Sequence, residues 1–398
     1  FYLGHNKKNI KNVDAVVFSS AIKKNNPEIK AAIIKKIPLL SRADMLAELM
    51  KNKKSIAIAG SHGKTTTTSL IGNILNQANL DPTIVNGGII NSLSKNNRYG
   101  KGEWMVVEAD ESDGSFSRLN PTIAVVTNID LEHMDFHKNE KNLEKAFVHF
   151  ISSIPFYGFA VVCIDHPRIQ KILSKLSNKK IITYGFSPNA DVRATNVKFE
   201  KGKMIFDVSF KNQNNNDSSI IKNINFSMAG NHNVLNALAA ICLSLELKIP
   251  SKIIKNSLSN FTGVHRRFHL ISTIGKTKII DDYGHHPVEI QAALSAAKLV
   301  KNDCRILAIF QPHRYSRLKN HFADFCSSFN DADKVILLNV YSAGEKKING
   351  FENKDLEEGI QNYGHKNVIS LKTDDLIYET IFKEINNFDI IIFLGAGN

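Results

Sequence analysis

The stretch Ile56-Ala57-Ile58-Ala59-Gly60-Ser61-His62-Gly63-Lys64-Thr65-Thr66-Thr67-Thr68 constrains this chain more than any other. Its apolar start reads as a short buried strand, its glycines as a turn, and the threonine run as the first turn of a helix that Ser69 to Leu75 continues. Two glycines let the backbone curl around an anion and point its N–H groups inward. The helix N-terminus adds partial positive charge at the same place. Lys64 can then reach the β- and γ-phosphates of a nucleotide, and the Thr65 hydroxyl can ligate Mg²⁺. Gly60, Ser61, His62, Gly63, Lys64, Thr65 and Thr66 form the candidate phosphate cradle. A full Walker A motif has a glycine where Ile58 stands, so the spacing here is the shorter G-x-x-G-K-T. A plain strand–helix turn with an exposed lysine is the competing account. The apolar strand before the turn and the four threonines after it weigh against that.

A length of 398 residues predicts two or three domains, each with its own core. The net charge of +13 invites a nucleic-acid partner. The lysines, however, are scattered among many asparagines, and no basic helix or aromatic-interleaved patch occurs, so nucleic acid is not expected. Four cysteines, Cys163, Cys242, Cys304 and Cys326, form no C-x-x-C pair and sit mostly in apolar runs, which suits buried thiols in a reducing cytoplasm. No apolar run reaches the length of a membrane span, and no signal-peptide pattern opens the chain. The chain starts at Phe1 rather than Met and stops at Asn398 after a glycine turn, so both ends read as cut.

Residues 1–52 read as the tail of a small α/β unit: a strand Asp14–Phe18, a helix opened by Asn26-Pro27-Glu28, a strand over Ile37–Leu40 and a helix from Ser41 to Met50. Residues 53–262 read as a central domain. In it Asn86-Gly87-Gly88 is expected to be a turn. The strand Trp104–Val107 runs into Glu108-Ala109-Asp110-Glu111-Ser112-Asp113, four carboxylates in six residues, which suits a Mg²⁺ site with Glu108 as first choice, a solvated acidic loop being the competing account. The apolar strand Pro121–Ile129 ends in Asp130-Leu131-Glu132-His133-Met134-Asp135, where His133 can face a metal ion or substrate, or simply lie on the surface. The pattern from Val192 to Phe226 predicts antiparallel hairpins, with the polar run Asn212 to Ser219 as an exposed loop. Asn233 and Asn236 stand at the start of a long apolar helix, where amide side chains can cap it or meet a base edge. Residues 263–398 alternate strands with loops rich in His, Arg, Asp and Tyr, which predicts a parallel sheet with a substrate or phosphate pocket at the strand ends. Arg266-Arg267-Phe268, Asp281 to Pro287 and Gln311 to Arg317 carry those residues, with metal binding by Asp282, His285 and His286 as the competing account.

In order along the chain, Gly60 to Thr68, Glu108 to Asp113, Thr127-Asn128-Ile129 with His133-Met134-Asp135, Gly230 to Asn236, and the three C-terminal segments resemble the Mur ligase family of amide-forming ATPases. Ser19-Ser20-Ala21-Ile22 and Arg42 to Leu46 are similar too. The resemblance implies a multi-domain α/β protein. It would have a partial N-terminal Rossmann-like unit (1–52), a central P-loop ATPase domain with a mostly parallel sheet plus antiparallel hairpins (53–262), and a C-terminal Rossmann-like domain (263–398). It implies ATP and Mg²⁺, with UDP-N-acetylmuramate and L-alanine as the molecules joined, in a cytoplasmic monomer or weak dimer. Related ligases that add a peptide or another amino acid, and a non-catalytic ATP-binding remnant, remain open at this point.

The resemblance also assigns expected roles. Lys64, His133, His286 and Arg314 are the candidate catalytic residues. Thr65, Glu108 and His133 would hold metal. Asn233 and Asn236 would lie by the adenine, with Arg267 and Asp282 also on the nucleotide. Ser20, His62, His313, Arg314 and Arg317 would line the substrates.

Overall fold

The computed structural model describes residues 1–19, 21–91, 95–211, 218–300, 303–371 and 374–397. Ser20 and most of the polar run Asn212 to Ser219, both singled out above, lie outside the described residues. The chain divides into two compact units, one of residues 1–87, 97–192 and 242–247, the other of residues 88–96, 193–241 and 248–398. Among the described residues no helix is long and apolar enough to cross a membrane.

The first unit opens with two short parallel strands, β1 (Val16–Phe18) and β2 (Leu39–Ser41). The helix between them, Pro27–Ile34, starts at its proline, with the Asn26 side chain accepting the Glu28 N–H. The helix Arg42–Met50 is held by a reciprocal capping box between Ser41 and Asp44. Asp44 also meets Arg118 at 2.9 Å.

Further along come β3 (Lys54–Ala59), β4 (Thr83–Ile90), β5 (Lys95–Arg98), β6 (Trp104–Glu108), β7 (Ile123–Val126), β8 (Phe159–Cys163) and β9 (Ile181–Gly185). Within this unit they run in the order β9-β8-β7-β3-β6-β4, every pairing parallel. β7 and β8 are buried along their whole length and β3 after its first residue. That explains why they read as unbroken apolar runs: strands covered on both faces cannot alternate. A parallel sheet sends its neighbouring strands out at one edge, and open sheets of this kind bind ligands there. Register fixes which residues meet at that edge. Ile58 lies opposite Glu108, and Ala59 opposite Val126.

Asn86-Gly87-Gly88 is not a turn but part of β4. Asn86 is buried there, and its amide donates to Ser69 Oγ at 2.7 Å, a tie that straightens the segment against the helix Lys64–Gln77.

In the second unit, β10 (Val192–Glu200), β11 (Lys203–Lys211) and β12 (Ser218–Phe226) form the expected hairpins, β11 and β12 antiparallel with an irregularity between Phe206 and Val208. The helix beginning at Asn231 and the helix Ser251–Ser259 follow. The C-terminal strands are β13 (His269–Ile274), β14 (Thr277–Asp282), β15 (Ile306–Phe310), β16 (Lys334–Leu337), β17 (Val368–Ser370) and β18 (Ile390–Leu394), in the order β13-β14-β18-β15-β16-β17. Only β13 is antiparallel to its neighbour. One face packs Phe310, Phe325 and Phe329 with Ile290 and Leu294. The other buries Leu307, Ile309, Ile336 and Ile391. β13 carries no sequence signal of comparable strength, because five of its six residues are exposed.

Candidate active site

The loop after β3 takes a shape that its glycines alone permit. Gly60 has φ +138°, and a Cβ there would stand 2.1 Å from the Thr127 hydroxyl oxygen. Gly63, at φ +81°, starts the helix Lys64–Gln77. The end of β7 clasps this loop. The His62 N–H donates to Asn128 Oδ1 at 2.8 Å, the Thr127 hydroxyl donates to His62 O at 2.6 Å, and the Asp130 N–H donates to Ser61 Oγ at 2.8 Å. Thr127 and Asn128 thus act as braces for the anion loop, a role that their place just beyond a separate strand hid from the sequence. Thr65 and Thr66 lie in the first helical turn, both buried.

Lys64 Nζ donates to Gly60 O at 2.6 Å and Ser61 O at 3.2 Å and pairs with Glu111 at 2.9 Å. Burial by itself would lower the Lys64 pKa. The charges of Glu111, Glu108 and Asp110 overcome that and push it well up, so the side chain is a fixed cation. Burial raises the Glu111 carboxyl against the pull of Lys64.

Glu108, the last residue of β6, accepts from the Thr65 hydroxyl at 3.2 Å and from the Gly87 N–H at 2.8 Å. The two oxygen donors assigned to metal on the resemblance therefore touch one another beside the anion loop. A hydroxyl and a carboxylate next to a phosphate cradle suit Mg²⁺, which prefers oxygen and takes its remaining ligands from phosphate and water. His133, at φ +56°, keeps different company. Its Nε2 lies 4.0 Å from both Glu111 and Glu132, and these three offer possible ligand atoms within 4.8 Å of one another. Glu111 and Glu132 were not singled out from sequence. Glu111 was one of four neighbouring carboxylates, and only the fold shows that it turns inward, 1% exposed. His62 and Asp130 approach at 3.3 Å, and Asp130 also meets His166 at 3.2 Å. Burial would raise the Asp130 pKa, but the two histidines hold it far below the usual carboxylate range.

The second unit gathers the remaining candidates. Asn233 is buried and donates to Ala229 O at 2.8 Å, and Asn236 donates to Asn233 Oδ1 at 3.3 Å. Asp282, at the end of β14, accepts the N–H groups of Phe268 and Gly284, both at 2.7 Å, so it anchors the turn that leads out of the strand. Burial pushes its pKa up to about 6, against the pull of Arg267. Arg267 pairs with Glu289 at 3.5 Å, and Arg266 pairs with Asp281 at 3.1 Å and donates to Gly395 O at 2.7 Å. Both guanidiniums lie 5.2 Å from the Tyr283 ring centre. Beyond β15, His313 stacks on Tyr341 with centroids 5.3 Å apart, and Arg317 Nη1 lies 3.2 Å from His313 Nδ1. The His285 ring is 6.0 Å from that of His313, and buried His286 packs edge-on against His321 at 4.7 Å. Arg314 sits at φ +70°, ahead of the short helix Tyr315–Asn320. His313 and Arg317 are thus brought together with His285. Tyr283, Glu289 and Tyr341 are partners whose contribution sequence spacing did not reveal.

Two outcomes follow. A Cβ on Gly87 would stand 2.8 Å from Glu108 Oε2. Gly87→Ala should therefore displace that carboxylate and raise the apparent KM for ATP about tenfold, while the melting temperature stays nearly unchanged. ATP titration beside a thermal scan checks both. The second concerns His285 and His313, each held to about 4, first by burial and then with Arg317 contributing. Between about pH 4 and 6.5 the unfolded chain binds more protons at these rings than the folded one, so their contribution to stability should fall as pH drops through that window and stay flat above it, partly offset by Asp282, whose raised pKa acts in the opposite sense. Histidine NMR should show both rings neutral down to about pH 4, alongside denaturation midpoints that follow the same curve.

Known proteins resemble this chain along its whole length. Residues 1–54 match the Mur ligase family catalytic domain, 58–244 the Mur ligase middle domain, and 266–397 the Mur ligase glutamate ligase domain. The UDP-N-acetylmuramate–L-alanine ligase of Gluconobacter oxydans is 48% identical over 396 residues, spanning 100% of this chain and 83% of that protein. The enzyme of the same name from Rhodospirillum rubrum is also 48% identical, over 100% of this chain and 82% of its own length. Among solved structures, the UDP-N-acetylmuramate–alanine ligase of Thermotoga maritima superposes with a TM-score of 0.78 at 25% identity, covering 100% of this chain and 85% of that one. A murein peptide ligase from Psychrobacter arcticus gives 0.67 at 25% identity, covering 96% and 83%. With a loop, an acidic strand tip and a C-terminal arginine–histidine patch of this kind, and relatives this close over the whole chain, the protein belongs to the Mur ligase family.

Proposed function

We propose that this chain joins L-alanine to the carboxylate of UDP-N-acetylmuramate at the expense of ATP, through an acyl phosphate, as a step in peptidoglycan precursor synthesis. The observation that carries the reading is 48% identity along the whole chain to enzymes of that name. The contact of Thr65 with Glu108 beside Lys64 gives it a chemical basis.

A carboxylate is a poor acyl donor because oxide is a poor leaving group. Attack of a carboxylate oxygen on the γ-phosphorus of ATP releases ADP and yields an acyl phosphate. The alanine nitrogen then attacks the acyl carbon, phosphate departs, and the amine loses a proton. The first step depends on positioning and charge neutralisation rather than covalent help from the protein. Lys64, the loop N–H groups and the helix N-terminus supply part of that. Thr65 and Glu108 would hold Mg²⁺, which when bound neutralises phosphate charge. His133, near Glu111 and Glu132, is a further candidate ligand. In the second unit, Asn233 and Asn236 are assigned to the adenine, and Arg267 and Asp282 to the nucleotide. His313, Arg314 and Arg317 are assigned to the alanine side, where a guanidinium can grip a carboxylate at two points. His133 and His286 are the candidates for receiving the amine proton. On this reading residues 1–52 belong to the sugar-nucleotide domain, 53–262 to the ATP-binding domain and 263–398 to the amino-acid domain.

A second reading, a ligase that adds a peptide, is favoured by the likeness to the murein peptide ligase fold. Phosphate release measured with ATP and UDP-N-acetylmuramate, against a panel of amino acids and peptides, separates the two: L-alanine alone should stimulate it strongly.

Lys64→Ala should abolish ATP turnover in a protein that still folds, as judged by circular dichroism. Near-normal turnover would remove the lysine from the reaction. Arg317→Ala should raise the KM for alanine by about tenfold or more, the loss expected for a charge-assisted pair, and leave that for ATP within twofold. The opposite ranking would reassign Arg317 to the nucleotide.

A further inference from the structure

His62 lies inside the anion loop, and its main chain is fixed at both ends. Its N–H donates to Asn128 Oδ1 at 2.8 Å, and its carbonyl accepts from the Thr127 hydroxyl at 2.6 Å and from Asn128 Nδ2 at 3.0 Å. Only the side-chain torsions remain to be set. The imidazole Nε2 stands 3.3 Å from Asp130 Oδ2, with the two side chains only 12% and 22% exposed. Asp130 is itself anchored. Its N–H donates to Ser61 Oγ at 2.8 Å, and the Ser61 hydroxyl lies 3.3 Å from Asp130 O. Its other carboxylate oxygen lies 3.2 Å from His166 Nε2 and 3.7 Å from Arg168 Nη1.

Bracing of the loop is complete without the carboxylate, because the Ser61 contacts use only the backbone of Asp130. The carboxylate is left with a different task. An ionised carboxylate can only accept a hydrogen bond. At 3.3 Å the facing His62 nitrogen matches that carboxylate as an N–H donor, which leaves Nδ1 as the acceptor whenever the ring is neutral. We propose that Asp130 is a positioning residue that fixes the tautomer and rotamer of His62, with His166 and Arg168 steadying its carboxylate, so that the imidazole is held in one defined orientation when the acceptor substrate binds. The acceptor part of this proposal rests on the reaction given above, whereas the tautomer part stands without it.

Asp130→Asn tests both parts, because the amide keeps the side-chain shape and the backbone contacts to Ser61 but can turn a donor toward His62. In ¹⁵N-histidine spectra of the whole chain, with the His62 signal assigned by its loss in His62→Gln, the native protein should show the Nε2–H form. Asp130→Asn should shift that population. In phosphate-release assays the same variant should raise the KM for UDP-N-acetylmuramate about tenfold and leave that for ATP within twofold, with Asp130→Glu recovering part of the loss. An unchanged His62 tautomer in Asp130→Asn overturns the proposal whatever the substrate proves to be. An equal rise in the KM for ATP overturns the acceptor assignment. Absence of acceptor-dependent phosphate release in the native chain sinks the functional reading instead, and the spectra still decide the role of Asp130.

Discussion

A buried ammonium and a buried carboxylate 2.9 Å apart, Lys64 and Glu111, set the terms for the first unit. Taking either charge out of water alone costs several kcal/mol, and together they offset that only through close geometry and further hydrogen bonds. The further bonds are present, from Lys64 to two loop carbonyls. The lysine therefore cannot be neutral, and the loop cannot open without stranding a charge. An anion that engages Lys64 must compete with Glu111 and with the loop's own carbonyls. The charged non-bridging oxygens of a phosphate are better matched to that competition than a weak or neutral ligand.

Much of this was legible in the sequence. The G-x-x-G-K-T spacing, the apolar runs of β3 and β7 and the acidic tip after β6 are local patterns, and each marks its element because the residues that matter are neighbours in the chain. The rest depends on which strands lie side by side. Nothing local distinguishes Glu111 from Asp110 or Asp113, and its inward turn follows from the helices and loops packed around it. Asn86-Gly87-Gly88 has the composition of a turn and yet forms part of a strand, because Asn86 is tied to Ser69 and Gly87 gives up its N–H to Glu108. The glycine is there for the carboxylate, not for a bend.

The second unit shows a similar division. Strand-end loops rich in histidine and arginine announced a polar pocket, but not how the cations are held apart. Arg266 and Arg267 find separate carboxylates, Asp281 and Glu289, and flank one tyrosine ring. Arg317 leans on His313, whose lowered pKa keeps a second positive charge away from it. The result is a patch of fixed cations beside neutral imidazoles, suited to carboxylates and phosphates without repelling itself.

The clasp on the anion loop has a kinetic consequence. His62 is joined to Thr127 across 65 positions of chain, Lys64 to Glu111 across 47, and Thr65 to Glu108 across 43. Contacts that close long stretches of chain, between strands such as β3, β6 and β7 that pair in parallel, come late and slowly during folding, after local helices have formed. A newly made chain can thus hold most of its helix well before it has any cradle. During that interval the four buried cysteines and the apolar strand edges are open to aggregation.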